Sequence, residues 1–192
     1  EGCFLLRELS PKTLAKVSSF GELLSSYIIS QAANVNFKAV YKDTRELIVA
    51  SDNYNNALVD FFATFKNCQD YFTSHSQKIT IVPGFVARTI NGKTTTLGRG
   101  GSDFTAAIIS AALDCSELQI WTDVSGMFTA NPSIVKQASV INHISYHEAM
   151  ELSHFGAKVI YPPTIQPVLQ KEIPIVIKNT FQPQDQGTLI TK

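Results

Sequence analysis

The stretch Thr94-Thr-Thr-Leu-Gly-Arg-Gly-Gly-Ser-Asp103 stands directly before an apolar run from Phe104 to Leu113. Its three glycines allow positive φ and a close approach of the backbone to a bound group. Ser102 is expected to be the N-cap of the helix that the apolar run predicts. A helix N-terminus attracts anions, and the planar guanidinium of Arg99 suits a carboxylate or a phosphate. The stretch therefore predicts either a structural glycine turn or an anion-binding loop, and both interpretations stay open.

The composition excludes several classes of protein. The 192-residue chain carries 16 basic and 16 acidic side chains, and its pI is about 7.1. Nucleic-acid-binding and membrane-surface proteins normally carry a basic excess. No apolar run approaches the roughly 18 residues that cross a bilayer. The three cysteines are odd in number and far apart, which is typical of reduced thiols rather than of a disulfide or zinc framework. We therefore expect a cytoplasmic protein with no nucleic-acid or membrane partner.

A long helix is predicted near the start of the sequence. Ser10 and Pro11 have the types preferred at the N-cap and the first helical position. Five apolar residues at helical spacing predict its buried face: Leu14, Val17, Phe20, Leu24 and Ile28. Because Glu22 lies off this stripe, the pattern alone predicts a solvated carboxylate there.

The remaining patterns alternate between strands and helices. Asn91-Gly92 predicts a hairpin that leads into the glycine loop. Thr122 and Asp123 follow a predicted strand, where open α/β sheets bind their ligands. Ser145 and Glu148 form a capping box that predicts another helix. The sequence thus predicts an α/β fold, with a mainly parallel sheet sandwiched by helices and one unit over residues 1–192.

Common sites of other kinds are disfavoured. The Walker A pattern, the dinucleotide fingerprint and the Gly-x-Ser-x-Gly elbow are all absent from the sequence. His143 and His147 are four residues apart, but the capping box places His143 before the helix. The two imidazoles would then not share a helical face, so we expect no metal site on the protein.

Four ordered segments resemble the aspartate kinases of the amino acid kinase superfamily. They are Ser19-Phe-Gly-Glu-Leu-Leu-Ser25, Thr94–Asp103, Trp121-Thr-Asp-Val-Ser-Gly-Met-Phe128 and Phe155-Gly-Ala-Lys158. The region from Lys158 to Leu189 most resembles the kinase portion of bifunctional aspartokinase–homoserine dehydrogenases. The resemblance implies an amino-acid-kinase-like fold and ATP-dependent phosphorylation of the L-aspartate side chain to aspartyl phosphate. That reaction is the first step towards lysine, threonine, methionine and isoleucine.

The resemblance also implies ligands and residue roles. L-Aspartate and ATP would be the substrates, with Mg²⁺ bound to the nucleotide, and the parent enzyme would be a homodimer. Glu22 resembles the acceptor for the substrate α-ammonium group, Arg99 the arginine that binds a substrate carboxylate, and Ser102 a further substrate contact. Asp103 resembles the acid that orders the catalytic lysine, so Arg99 and Asp103 are the expected catalytic residues. The expected nucleotide-binding residues are Thr122, Asp123, Phe128, Ser133, Lys158 and Val159.

Two departures from the family pattern bear on activity. The family carries an opening Lys-Phe-Gly-Gly-Thr-Ser motif that holds the transferred phosphate, and this motif does not occur in the 192 residues. We therefore expect the C-terminal two-thirds of a catalytic domain, without regulatory or dehydrogenase domains and with little activity alone. Ser133 stands where the family has an arginine for the nucleotide phosphates.

Three hypotheses follow from these motifs and departures. The first is the catalytic region of an aspartokinase. The second is a non-catalytic remnant that binds a nucleotide or a partner. The third is a superfamily member that acts on glutamate, N-acetylglutamate or UMP, which the Phe20-Gly-Glu22 context disfavours.

Overall fold

The computed structural model describes residues 9–154, 159–161 and 165–192. Within those ranges the helices are α1 (Pro11–Phe37), α2 (Phe61–Ser74), α3 (Gly101–Ala112), α4 (Tyr146–His154) and α5 (Gln166–Gln170). The strands are β1 (Val40–Tyr41), β2 (Val49–Ala50), β3 (Thr80–Ile81), β4 (Val86–Thr89), β5 (Thr94–Thr96), β6 (Leu118–Thr122), β7 (His143–Ser145), β8 (Ile175–Asn179) and β9 (Thr188–Thr191). Contacts divide the chain into two compact units, Glu1–Thr105 and Ala106–Lys192. The single-unit organisation expected from the sequence stays a prediction.

The first unit contains two small sheets. Strands β1 and β3 pair in parallel, β2 and β4 pair in parallel, and β5 joins β4 as its antiparallel neighbour. The predicted hairpin at Asn91-Gly92 is confirmed as the β4–β5 connection. Gly92 has a φ of 73°, a conformation that glycine adopts without steric penalty.

Helix α1 begins as predicted but buries a different face. The Ser10 hydroxyl accepts a hydrogen bond from the Thr13 N–H at 3.2 Å, which confirms the N-cap. The predicted buried stripe is wrong, because Leu14, Val17, Phe20, Leu24 and Ile28 are all at least 40% exposed. The buried residues are Ala15, Ser19 and Ser30. These small side chains allow α1 to lie close to strands β1, β3 and β5. A helical pattern of large apolar residues does not predict a packing face made of small residues.

The second unit is built on one four-stranded sheet in the order β6-β8-β9-β7. Strands β6 and β8 are parallel, β7 and β9 are parallel, and β8 and β9 are antiparallel. The predicted capping box at the start of α4 is confirmed. The Ser145 N–H donates to Glu148 Oε2 at 3.0 Å, and the Glu148 N–H donates to Ser145 Oγ at 3.3 Å. With parallel pairs outnumbering antiparallel pairs in the described strands, the predicted α/β class is confirmed.

The core of the second unit gathers aliphatic side chains from its strands and helices. Its fully buried members include Met127, Ile165, Val168, Ile175, Ile177 and Ile190. Strand β8 alternates buried and half-buried positions, so one face packs on this core. Of the helices in the described ranges, none has both the length and the apolarity that a bilayer-spanning segment needs.

Candidate functional site

The glycine loop passes from β5 into α3 through two glycines with positive φ. The φ angle is 77° at Gly98 and 69° at Gly100. The Gly101 N–H donates to the Gly98 carbonyl at 3.0 Å, and the Phe104 N–H donates to the Gly100 carbonyl at 2.9 Å. Helix α3 therefore begins at Gly101, and Ser102 lies inside its first turn. The prediction that Ser102 is the N-cap is wrong, because the Gly100 carbonyl already accepts the first helical hydrogen bond.

A second segment, Gly84-Phe85, packs directly on this loop. Phe85 has a φ of 68°, and its N–H donates to Thr105 Oγ1 at 3.0 Å and to the Gly101 carbonyl at 3.2 Å. A Cβ atom on Gly84 would lie 2.8 Å from the Cα atom of Ser102. A bulky residue with positive φ is rare and is most often retained at binding or catalytic sites. No local sequence pattern indicates a left-handed phenylalanine, so Phe85 is not among the predicted site residues.

The loop and the first turn of α3 carry three predicted site residues. Arg99 and Ser102 are exposed, and Asp103 is half-buried. Burial raises the pKa of the Asp103 carboxyl above its usual range. Within the described ranges, no ion pair includes Asp103. The arrangement therefore offers an arginine for an anion beside a carboxylate suited to a cationic partner.

Glu22 lies on the inner face of α1 rather than in solvent. At 100° per residue, Glu22 lies about 20° around the helix from Ala15 and about 60° from Ser19, two of the buried residues of this helix. Its side chain is half-buried. The prediction that Glu22 is a solvated carboxylate is wrong, because it depended on the apolar stripe that α1 does not bury. A carboxylate on the inner face of a helix suits the binding of a cationic group better than a surface role.

Thr122 and Asp123 lie at the carboxyl end of β6 in the second unit. Thr122 Oγ1 donates to Asp123 Oδ1 at 3.1 Å, and the Thr122 carbonyl accepts a hydrogen bond from the Thr180 N–H at 2.8 Å. Asp123 is exposed. This edge is where open sheets with parallel strands bind ligands, as the sequence predicted for these two residues.

The other predicted nucleotide residues lie in different surroundings. Phe128 is half-buried and forms an antiparallel bridge with Val140. Ser133 is exposed, and its N–H donates to Asn131 Oδ1 at 3.0 Å. Val159 packs against the core of the second unit. Lys158 lies outside the described residues.

Comparison with known proteins indicates a lineage. The amino acid kinase family matches residues 5–179. A bifunctional aspartokinase/homoserine dehydrogenase from Buchnera aphidicola subsp. Acyrthosiphon pisum (strain APS) is 42% identical over 193 residues, which is 99% of this chain and 23% of that protein. Aspartokinase 1, chloroplastic, from Arabidopsis thaliana is 37% identical over 198 residues, covering 100% of this chain and 35% of that protein.

A solved structure agrees with these relatives. The crystal structure of Escherichia coli aspartokinase III in complex with aspartate and ADP superimposes with a TM-score of 0.87 at 34% identity. The match covers 95% of this chain and 41% of that one. The chain thus spans less than half the length of each of these three proteins. The resemblance to aspartokinases and to their bifunctional forms is confirmed, while the roles of individual site residues stay predictions.

Proposed function

The chain belongs to the amino acid kinase family, and on that premise we propose that it carries the substrate-binding residues of an aspartokinase. The reaction would transfer the γ-phosphoryl group of ATP to the side-chain carboxylate of L-aspartate. The observation that supports this most directly is the glycine loop, which presents Arg99 beside the half-buried Asp103 at the start of α3. A phosphotransferase of this kind would contribute to amino-acid biosynthesis, at the entry to lysine, threonine, methionine and isoleucine.

The chemistry of the acceptor explains why no histidine base is needed. An aspartate side chain has an unperturbed pKa of about 4, so at neutral pH it is already a nucleophile. The barrier arises from repulsion between this anion and the phosphates of ATP. Catalysis then depends on positioning and on positive charge around the transferring group. Arg99 carries a positive charge, and the N-terminus of α3 carries a partial positive charge.

The acceptor would be bound by residues of the first unit. Arg99 would hold a carboxylate of L-aspartate through paired hydrogen bonds, and the exposed Ser102 would contact the same ligand. Glu22 would accept the α-ammonium group, since its half-buried carboxylate favours a cation. Asp103 would order the family's catalytic lysine, which also matches a carboxyl whose pKa is raised while no ion pair of the described residues includes it.

The nucleotide would be bound by residues of the second unit. Thr122 and Asp123 stand at the carboxyl edge of β6, with Phe128, Lys158 and Val159 as further contacts. The described residues include no group of three or more side chains able to hold a metal ion. Mg²⁺ prefers phosphates and water to a protein cage and would be held through the bound nucleotide. Mg²⁺ supplies charge neutralisation on the phosphates.

The proposal is tested by calorimetric titration of the chain with L-aspartate and with MgADP. We expect both ligands to bind, and we expect Arg99→Ala to weaken L-aspartate by at least tenfold, the loss expected for a charge-assisted contact of about 1.5–3 kcal/mol. Lys93→Ala is the matched control, because it removes one positive charge from the exposed hairpin turn. Wild-type affinity for L-aspartate in the Arg99 variant would refute the assigned role.

A non-catalytic, nucleotide-binding remnant is the second candidate, and Ser133 is the observation that favours it. Serine lacks the bidentate phosphate contact of the family's arginine. If that loss limits this chain, Ser133→Arg should tighten MgADP by about tenfold or more. The titration with L-aspartate separates the two candidates. Binding of both ligands, or turnover of L-aspartate and MgATP to aspartyl hydroxamate, supports the kinase, whereas tight MgADP binding without L-aspartate binding supports the remnant.

A further inference from the structure

The loop from Thr122 to Phe128 is held by side chains from the end of β8 and from the segment that joins β8 to β9. Ser125 Oγ donates to Asp185 Oδ2 at 2.6 Å, and Asn179 Nδ2 donates to Ser125 Oγ at 2.9 Å. Asn179 is buried, with 6% of its surface exposed. The Ser125 hydroxyl therefore uses both its donor and its acceptor capacity within the protein.

The direction of this chain of hydrogen bonds is fixed at its buried end. Asn179 Oδ1 accepts a hydrogen bond from the Phe181 N–H at 2.8 Å. The amide nitrogen of Asn179 must then face Ser125, so the serine accepts from Asn179 and donates to Asp185. Three side chains that are distant in sequence thereby specify one conformation of the loop.

Thr188 holds the same loop at a second point. Thr188 Oγ1 accepts from the Met127 N–H at 2.8 Å and donates to the Ile141 carbonyl at 2.7 Å. Gly126 has a φ of 136°, and a Cβ atom there would lie 2.4 Å from Thr188 Oγ1. The loop thus packs closely on the start of β9. This contact is separate from the backbone hydrogen bonds between β6 and β8.

We propose that Ser125, Asn179 and Asp185 are positioning residues for the nucleotide, which hold the Thr122–Phe128 loop in its binding conformation. This inference rests on the proposed function, in which Thr122 and Asp123 contact ATP. A loop that is ordered before binding loses less conformational entropy when the ligand arrives, so its affinity rises without a new contact. None of the three side chains has to touch the nucleotide to have this effect.

The test compares ligand affinities in variants of the whole chain. Ser125→Ala and Asp185→Ala each break the hydrogen-bond chain, whereas Asp185→Asn keeps an acceptor oxygen for Ser125. Asp114→Asn is the control, since it neutralises an exposed acid of the same unit that pairs with Lys171 at 2.7 Å and keeps a residue type that tolerates the φ of 47° at this position. Calorimetry would give the Kd values for MgADP and for L-aspartate, and thermal melts would report folding.

The expected result is a selective loss. Ser125→Ala and Asp185→Ala should weaken MgADP about tenfold, the size of one lost hydrogen bond, and leave L-aspartate within twofold. Asp185→Asn should recover most of the MgADP affinity, and the Asp114 variant should match the wild type. Unchanged MgADP affinity in both alanine variants, or parallel loss for both ligands, would overturn the inference alone. A wild-type chain that does not bind MgADP would overturn the proposed function and this inference with it.

Discussion

Gly84→Ala tests whether the contact between the Gly84-Phe85 segment and the glycine loop shapes the acceptor site. The added Cβ would lie 2.8 Å from Ser102 Cα, 2.9 Å from Ser102 Cβ and 3.0 Å from Ser102 Oγ. The nearest of these is a backbone atom, so a side-chain rotation cannot relieve the clash. Gly84 does not have a positive φ, which makes the effect of the substitution purely steric.

The size of the effect follows from the distance. Ordinary van der Waals contact begins at 3.4 Å, so Ser102 and the first turn of α3 must move by roughly 0.6 Å. Overpacking of this kind typically costs about 1–3 kcal/mol of stability. A misplacement of about 1 Å can cost about 10²-fold in function, so a shift of this size predicts roughly a tenfold weaker binding of L-aspartate.

The assay pairs urea unfolding with calorimetric titration of L-aspartate. Gly92→Ala is the matched control, because its Cβ would meet no atom within 4 Å although φ there is 73°. That variant should lose about 1–2 kcal/mol of stability to left-handed strain and keep its L-aspartate affinity. If Gly84→Ala lowers stability but binds L-aspartate as tightly as the wild type, the loop contact does not shape the acceptor site.

Three further outcomes are expected. Glu22→Gln should weaken the binding of L-aspartate about tenfold or more, because it removes the acceptor for the ammonium group. Glu151→Gln, at an exposed position of α4, should not weaken it. Equal affinities of the two variants in titration would exclude the role of Glu22. Burial raises the pKa of Asp103 in the folded state, so the stability of the fold should decrease as the pH rises through that pKa. Asp103→Asn should therefore raise the Tm at neutral pH and make the Tm less dependent on pH. Burial raises the pKa of Cys68 to about 11. In a variant with Cys3→Ser and Cys115→Ser, Cys68 should therefore react with a thiol reagent at pH 8 only after the chain unfolds. Rapid labelling of the native chain would contradict the burial of Cys68.

Features that local chemistry dictates could be predicted from the sequence. The Asn91-Gly92 hairpin, the Ser10 N-cap and the Ser145–Glu148 capping box each depend on residues within four positions of one another, and all three are confirmed. The position of Thr122 at the end of a strand also follows from a local pattern. These signals need no knowledge of what packs against them.

Features that depend on tertiary packing could not be predicted in the same way. Helix α1 buries Ala15 and Ser19 and exposes Phe20 and Leu24, because close packing on a sheet selects small side chains over large ones. The apolar pattern therefore predicted the wrong environment for Glu22, although the family resemblance indicated that it is a site residue. The positive φ of Phe85 is likewise set by hydrogen bonds to Thr105 and Gly101, which are distant in sequence.

The central claim is that the acceptor bound by this chain is L-aspartate. The most direct measurement is a set of calorimetric titrations of one preparation with L-aspartate, L-glutamate, N-acetyl-L-glutamate and UMP in the presence of MgADP. We expect L-aspartate to bind at least tenfold more tightly than the other three ligands. Tighter binding of any of those three would contradict it and assign the chain to another branch of the amino acid kinase family.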